Sequence, residues 1–164
     1  MTRILVISDT HIPERSAKIP EEFLKQIKKD EIILHAGDFT NFEVLEQIRK
    51  LGSLYAVWGN MDDGKIKKFL PEKQILEVEG KTIGIYHGYG APYGLEKKVY
   101  EKFEETLDVI VFGHSHTPYS QKIKNTLMFN PGSLSGNNQT GNPSYGILRI
   151  EPGEIWGEIV EIKS

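Results

Sequence analysis

The chain contains no cysteine. Disulfides, thiolate zinc clips and cysteine nucleophiles are therefore excluded, and any metal must be held by imidazole, carboxylate or amide oxygen. Long apolar runs are missing as well: no stretch approaches the ~20 residues needed to span a membrane. The N-terminus passes straight into a strand-like run, with no basic segment leading into an apolar one. No leader is expected, and the expected location is cytoplasmic. An excess of charge of one sign is also absent. The formal net charge is −3, so no global basic field points to nucleic acid. Histidine is scarce, with five in 164 residues, and scarcity makes their placement informative.

What remains is the make-up of an ordinary globular protein, 38% apolar and 26% charged, expected to bury one core in a single domain spanning residues 1–164. Its apolar runs share a punctuation. Ile4–Ile7 ends in Ser8-Asp9-Thr10-His11, and Ile32–Leu34 ends in His35-Ala36-Gly37-Asp38. Leu54–Trp58 ends in Gly59-Asn60, Ile83–Tyr86 in His87-Gly88, and Val109–Phe112 in Gly113-His114-Ser115-His116. Each run is short, rich in β-branched or aromatic residues, and not cleanly alternating, as suits strands buried on both faces.

Helical patterns separate several of these runs. One is expected from Pro20 to Lys29, with proline at the first position, acids in the first turn and lysines in the last. A second opens on a capping box from Thr40 to Glu43 and stops at Gly52. A third carries Leu95, Val99, Phe103 and Leu107 at a spacing of four, and a short one runs from Gly64 to Leu70. After His116 only β-like pieces follow, over 119–124, 126–129, 144–150 and 154–162. Glu151-Pro152-Gly153 reads as a turn between the last two. The expectation is α/β in front and a β-meander behind, with helices covering the outside of two facing sheets.

In such sheets ligands bind beyond the carboxyl ends of the strands. Convergence of the five ends would gather Asp9, His11, Asp38, Asn60, His87, His114 and His116, all oxygen or nitrogen donors suited to metals. In extended chain the i, i+2 pairs Asp9/His11 and His114/His116 would each face one side. If the strand stays regular, His35 has the wrong parity to share the side of Asp38, and it reads as structural, or as a partner supporting a ligand from behind. Each fragment alone has a blander reading as a turn, a helix cap or a core histidine. Five of them in this setting make coincidence the poorer explanation.

Asp9-x-His11, Gly37-Asp38, Gly59-Asn60-x-Asp62, His87-Gly88 and Gly113-His114-x-His116 resemble, in order, the motifs of the calcineurin-like metallophosphoesterase superfamily, and within it the small prokaryotic YfcE-like phosphodiesterases. The resemblance implies a four-layer αββα sandwich of two facing mixed sheets with a dinuclear metal site at the sheet edge. By motif, Asp9, His11 and His116 hold one metal; Asn60, His87 and His114 hold the other; Asp38 bridges them. The implied cofactors are two divalent transition metal ions, manganese first, with nickel, iron or zinc as alternatives. Asn130-Pro131-Gly132-Ser133 also resembles a family segment near the site.

The implied reaction is hydrolysis of a small-molecule phosphate ester, foremost a phosphodiester, by in-line attack of a metal-bridging hydroxide. Asp38, Asn60 and His87 act through that hydroxide, and Asn60 and Ser133 are candidate substrate contacts. Many larger relatives carry Gly-Asn-His-Glu where this chain has Gly59-Asn60-Met61-Asp62. Methionine donates no proton, which leaves Asp62 as the candidate acid of that segment and the acid step unassigned. Motif spacing is short, so no cap domain is expected over the rim, and Tyr89, Tyr93, Phe39 and Tyr119 lie near the motifs as core or base-stacking aromatics. Ser115 is expected to point away and tolerate change. The competing reading is an interaction module resembling the eukaryotic retromer subunit, whose metal-site pattern is altered. A nuclease is the third. No membrane partner is expected, and the sequence leaves homo-oligomerisation open.

Overall fold

The computed structural model describes residues 1–14 and 18–163. Three parallel strands, β1 (Thr2–Ile7), β2 (Ile32–His35) and β3 (Ser53–Ala56), form one side of a five-stranded sheet. Their connections run through α1 (Glu21–Leu24) and α2 (Phe42–Arg49), with α3 (Gly64–Phe69) following β3. A hairpin of β9 (Ser144–Glu151) and β10 (Glu154–Glu161) completes this sheet through antiparallel pairing of β9 with β1, in the order β10-β9-β1-β2-β3. The second sheet has the order β4-β5-β6-β8-β7, from β4 (Lys73–Val78), β5 (Lys81–Tyr86), β6 (Val109–Val111), β7 (Tyr119–Ile123) and β8 (Thr126–Asn130). Here β5, β6 and β8 are parallel, and α4 (Leu95–Tyr100) connects β5 to β6.

Strand alternation builds the layers. Ile4 and Val6 of β1 face Ile83, Ile85, Val109 and Val111 across a core between the two sheets. Leu5 and Ile7 turn the other way, onto Phe23, Leu45, Ile48 and Ile66 from α1, α2 and α3. On the far side, Tyr86, Ile110 and Phe112 pack under Leu95 and Val99 of α4 with Phe103 and Leu107. Four of the five runs thus bury both faces, which is why they do not alternate cleanly; β3 is the exception, with Ser53 and Tyr55 exposed. The result is the αββα sandwich expected from the motifs. Among the described residues no helix is long and apolar enough to cross a membrane.

Several local expectations are corrected. The helices are shorter: α1 covers only Glu21–Leu24, and α4 ends at Tyr100, with Phe103 and Leu107 packing from the turns that follow. Asn41, not Thr40, caps α2, its side chain accepting from the Val44 N–H at 3.0 Å. Thr40 lies at φ 78°, where its N–H donates to Asp62 instead. The rear half is no meander: its two hairpins go to different sheets. Strand β4 escaped the pattern because it is an edge strand, half-buried on one side and exposed on the other, where Ile75 sits between Lys73 and Glu77.

Phe129 shows how tightly the sheets are joined. It is fully buried, and its ring lies over Gly146 and Gly157. A Cβ at Gly146 would stand 2.3 Å from its Cε2. Gly146→Ala is therefore expected to cost about 1–3 kcal/mol through overpacking. Denaturant unfolding of the variant beside the wild type measures this, and an unchanged midpoint would contradict the packing.

Candidate metal centre

The parallel strands of both sheets end at one edge. Loops after β1, β2 and β3 bring Asp9, Asp38 and Asn60, and loops after β5 and β6 bring His87, His114 and His116. The backbone at this edge is not extended, contrary to the i, i+2 expectation. Asp9 (φ 53°), His11 (41°), Asp38 (66°), His114 (72°) and His116 (61°) all adopt left-handed conformations. Asp and His tolerate this region better than most residues, and each still costs on the order of 1 kcal/mol. Residues of one type of chemistry sharing one strained conformation at one edge mark a functional site.

Hydrogen bonds hold the loops in place. Asp9 N donates to Gly37 O (2.9 Å), His11 N to Asp38 O (3.1 Å) and Gly113 N to His87 O (3.0 Å). Two glycines permit the closest approaches. A Cβ at Gly59 would meet Asp38 Oδ1 at 2.2 Å, and one at Gly113 would meet Ser8 Oγ at 2.0 Å.

Each carboxylate divides its oxygens between support and site. Asp9 Oδ2 accepts from Ser8 Oγ (2.6 Å) and His114 N (3.1 Å). Asp38 Oδ1 accepts from Met61 N (2.8 Å). The other oxygens face imidazoles. Asp9 Oδ1 lies 3.3 Å from His116 Nε2, 3.6 Å from His11 Nε2 and 3.8 Å from His87 Nε2. Asp38 Oδ2 lies 3.1 Å from His87 Nε2 and 3.5 Å from His11 Nε2. Two groups result, Asp9/His11/His116 and Asp9/Asp38/His87, each with ligand atoms within 4.8 Å of one another. Asp9 thus reaches into both. Asn60 Oδ1 joins the second at 3.0 Å from His87 Nε2 and 3.3 Å from His114 Nδ1, while His114 Nε2 meets Gly90 O at 2.7 Å.

The donor set fits a cation on its own evidence. Asp9 Oδ1 and His11 Nε2 are buried and have no hydrogen-bond partner among the described residues. His87 Nδ1 lies 2.7 Å from Ala36 O, so that nitrogen carries the proton. In the neutral ring Nε2 is then a lone pair, facing Asp38 Oδ2 and Asn60 Oδ1. Acceptors cannot satisfy one another; only a proton or a cation relieves the arrangement. Without metal, the proton does so. Burial opposes charge on His87, but the Asp9 and Asp38 carboxylates prevail and push its pKa up to about 9. Burial likewise opposes charge on Asp9, but His87, His11 and His116 hold it well below the usual carboxylate range.

Other expected residues find different roles. His35 is fully buried beside the site, and burial pushes its pKa down to about 3. It accepts from Gly37 N (3.0 Å), lies 3.3 Å from Thr10 Oγ1 and stacks on Phe39 at 3.6 Å. It is structural, as its parity suggested, and Phe39 is core. Ser133 is fully buried, and its hydroxyl donates to Asp9 O at 2.7 Å. It braces a ligand loop in place of the expected phosphate contact. Asp62 accepts from the N–H groups of Asp38 (2.9 Å), Gly59 (2.8 Å) and Thr40 (2.8 Å), so both oxygens are engaged away from any leaving group. Ser115 does not simply point away: its hydroxyl accepts from Thr117 N and Asn130 Nδ2. Asn130 also donates to Gly113 O (3.1 Å), a brace for the histidine loop that only the Asn-Pro-Gly-Ser segment hinted at.

Two outcomes follow from this geometry. In the metal-free chain the folded pKa of His87 exceeds its ordinary 6.5. Its stabilising contribution is complete below about pH 6.5 and is lost as pH rises through about 9. Melting curves in chelator should show stability falling across that window, and divalent metal, which displaces the proton, should remove the fall. Asp62→Ala should weaken metal binding about 10–100-fold by releasing the Asp38 loop. A metal titration checks this, and unchanged affinity would contradict the bracing role.

Known proteins share this architecture. The profile of the calcineurin-like phosphoesterase superfamily domain matches residues 2–153. A probable metallophosphoesterase of Methanothermobacter thermautotrophicus is 35% identical over 156 residues, covering 94% of this chain and 90% of the relative. The solution structure of a Thermotoga maritima protein matches with a TM-score of 0.77 at 35% identity, covering 99% of this chain and 100% of the other. Wild-type Vps29 of Entamoeba histolytica in complex with zinc gives 0.72 at 25% identity, covering 98% and 99%. An archaeal phosphodiesterase gives 0.71 at 25% identity, covering 97% and 100%. By sequence, by fold and by donor set, this chain belongs to the calcineurin-like phosphoesterase superfamily.

Proposed function

We propose that this chain is a two-metal phosphodiesterase that hydrolyses a small-molecule phosphodiester. The observation that carries the reading is the pair of unpartnered buried atoms, Asp9 Oδ1 and His11 Nε2, within two acidic–imidazole groups that meet at Asp9. Asp9, His11 and His116 would hold one cation. Asn60, His87 and His114 would hold the other, with Asp38 shared. The all-oxygen-and-nitrogen set suits manganese, and also nickel, iron or zinc. Cations bound there would supply Lewis acidity, polarising phosphoryl oxygens and bringing the pKa of water towards neutrality.

The chain's own residues do the positioning. Asp9 and Asp38 are each anchored by one oxygen, so the other is pre-aimed and little reorganisation accompanies reaction. Asn60 is the exposed member of this set, so an incoming ester can reach it from solvent. The segment beside it supplies no acid: Met61 is 59% exposed and Asp62 is occupied by backbone N–H groups. Esters whose leaving group departs without protonation are therefore the favoured substrates.

Vps29 among the neighbours supports a second reading, an interaction module on the same fold. The full set of donors favours the enzyme. Purified chain loaded with manganese should hydrolyse bis(p-nitrophenyl) phosphate. Asp38→Asn and His87→Ala should lose bound metal and reduce the rate by about 100-fold or more. Full turnover in either variant would overturn the assignment, and intact chain that binds no metal and hydrolyses nothing would support the module. Rates should also fall steeply as the leaving-group pKa rises, and a flat series would reveal an acid elsewhere.

A further inference from the structure

A small groove lies beside the loop that carries His114 and His116. Pro92, Leu95, Phe112 and Tyr119 line it, with Glu96 and Thr117 adding polar groups, and its volume is about 130 Å³. Ser115, between the two histidines, also contributes to its wall. Gly88, the residue after His87, lies between Leu95 of the groove and His114 of the metal centre. A Cβ there would lie 3.1 Å from Leu95 Cδ1 and 3.3 Å from His114 Cβ.

The walls are already in place. Phe112 and Tyr119 meet edge to face at 6.1 Å. Lys98 Nζ donates to Tyr89 O (3.1 Å) and Ala91 O (2.9 Å), fixing the loop that carries Pro92. His114 Nε2, against Gly90 O, ties the same loop to the metal centre. A mainly apolar cavity of roughly 150 Å³ takes up one benzene ring, and this groove is close to that size. An aliphatic chain would leave the edge-on aromatic wall unmatched, whereas a ring packs against Phe112 and Tyr119 at favourable geometry.

We propose that this groove binds a single aromatic ring on the substrate, so that the preferred phosphate ester carries one aryl substituent. The inference rests on the phosphoesterase reading and narrows its substrate class. Of the aromatics near the motifs, Tyr119 is then the one that contacts substrate. Phe39 is core, and Tyr93, 94% exposed, lies outside the groove.

The test uses the zinc-loaded full chain and two phosphonates that cannot be hydrolysed, phenylphosphonate and methylphosphonate, followed by calorimetry. Phenylphosphonate is expected to bind about ten-fold more tightly, through the apolar area its ring buries. Tyr119→Ala should abolish this preference without weakening methylphosphonate, and Tyr119→Phe should keep it. Equal affinity in the wild type would overturn the ring site and leave the phosphoesterase reading standing. A preference that survives Tyr119→Ala would overturn its placement in this groove. Failure of both phosphonates to bind would overturn both readings.

Discussion

Two carboxylates buried among imidazoles are the constraint on which the rest of this structure depends. Asp9 and Asp38 are almost wholly withdrawn from water; Asp9 leaves one oxygen without a hydrogen-bond partner among the described residues, and Asp38 turns one onto His87 Nε2. Negative charge in such a place is costly unless matched by positive charge. In the free chain His87 supplies it by taking a proton. The arrangement of lone pairs is better suited to a cation, because the Nδ1 proton of His87 is already committed to Ala36 O. A cation bound there would replace that proton, one positive charge for another.

The surrounding fold exists to hold that arrangement open. Left-handed ligand positions, glycines pressed against carboxylate and hydroxyl oxygens, and three N–H groups gathered on Asp62 all resist relaxation. Loops so irregular need a rigid base. The double-sided burial of β1 and β6, each at the centre of its sheet, provides it. Local strain of a few kcal/mol is sustained because a large core over-determines the loops above it.

Much of this was legible in the residues. Five apolar runs ending in Asp, Asn or His revealed both the strands and the convergence, since period and punctuation act locally. His35 was set apart by its parity relative to Asp38, although the regular strand which that argument assumed gives way at Gly37 and Asp38. The failures have a common cause. The roles of Asp62, Ser133 and Ser115 depend on backbone groups from distant loops, and nothing in a sequence says which N–H or carbonyl arrives. The cap of α2 slipped from Thr40 to Asn41 because the Thr40 hydroxyl donates to Ile12 O, 28 residues away, and its N–H to Asp62. The left-handed backbone at the ligands was invisible for the same reason: strain is imposed from outside the segment that bears it.

The candidate ligands are divided between the sheets. Asp9, His11, Asp38 and Asn60 follow the strands of one, and His87, His114 and His116 those of the other. Neither sheet alone presents a complete group, so no partly folded form with a single sheet captures metal at full strength. A cation bound there would therefore act as a clasp across the sandwich. Its binding free energy accrues to the docking of the two sheets rather than to either layer, and sliding one against the other by a fraction of a residue would be felt first at the clasp.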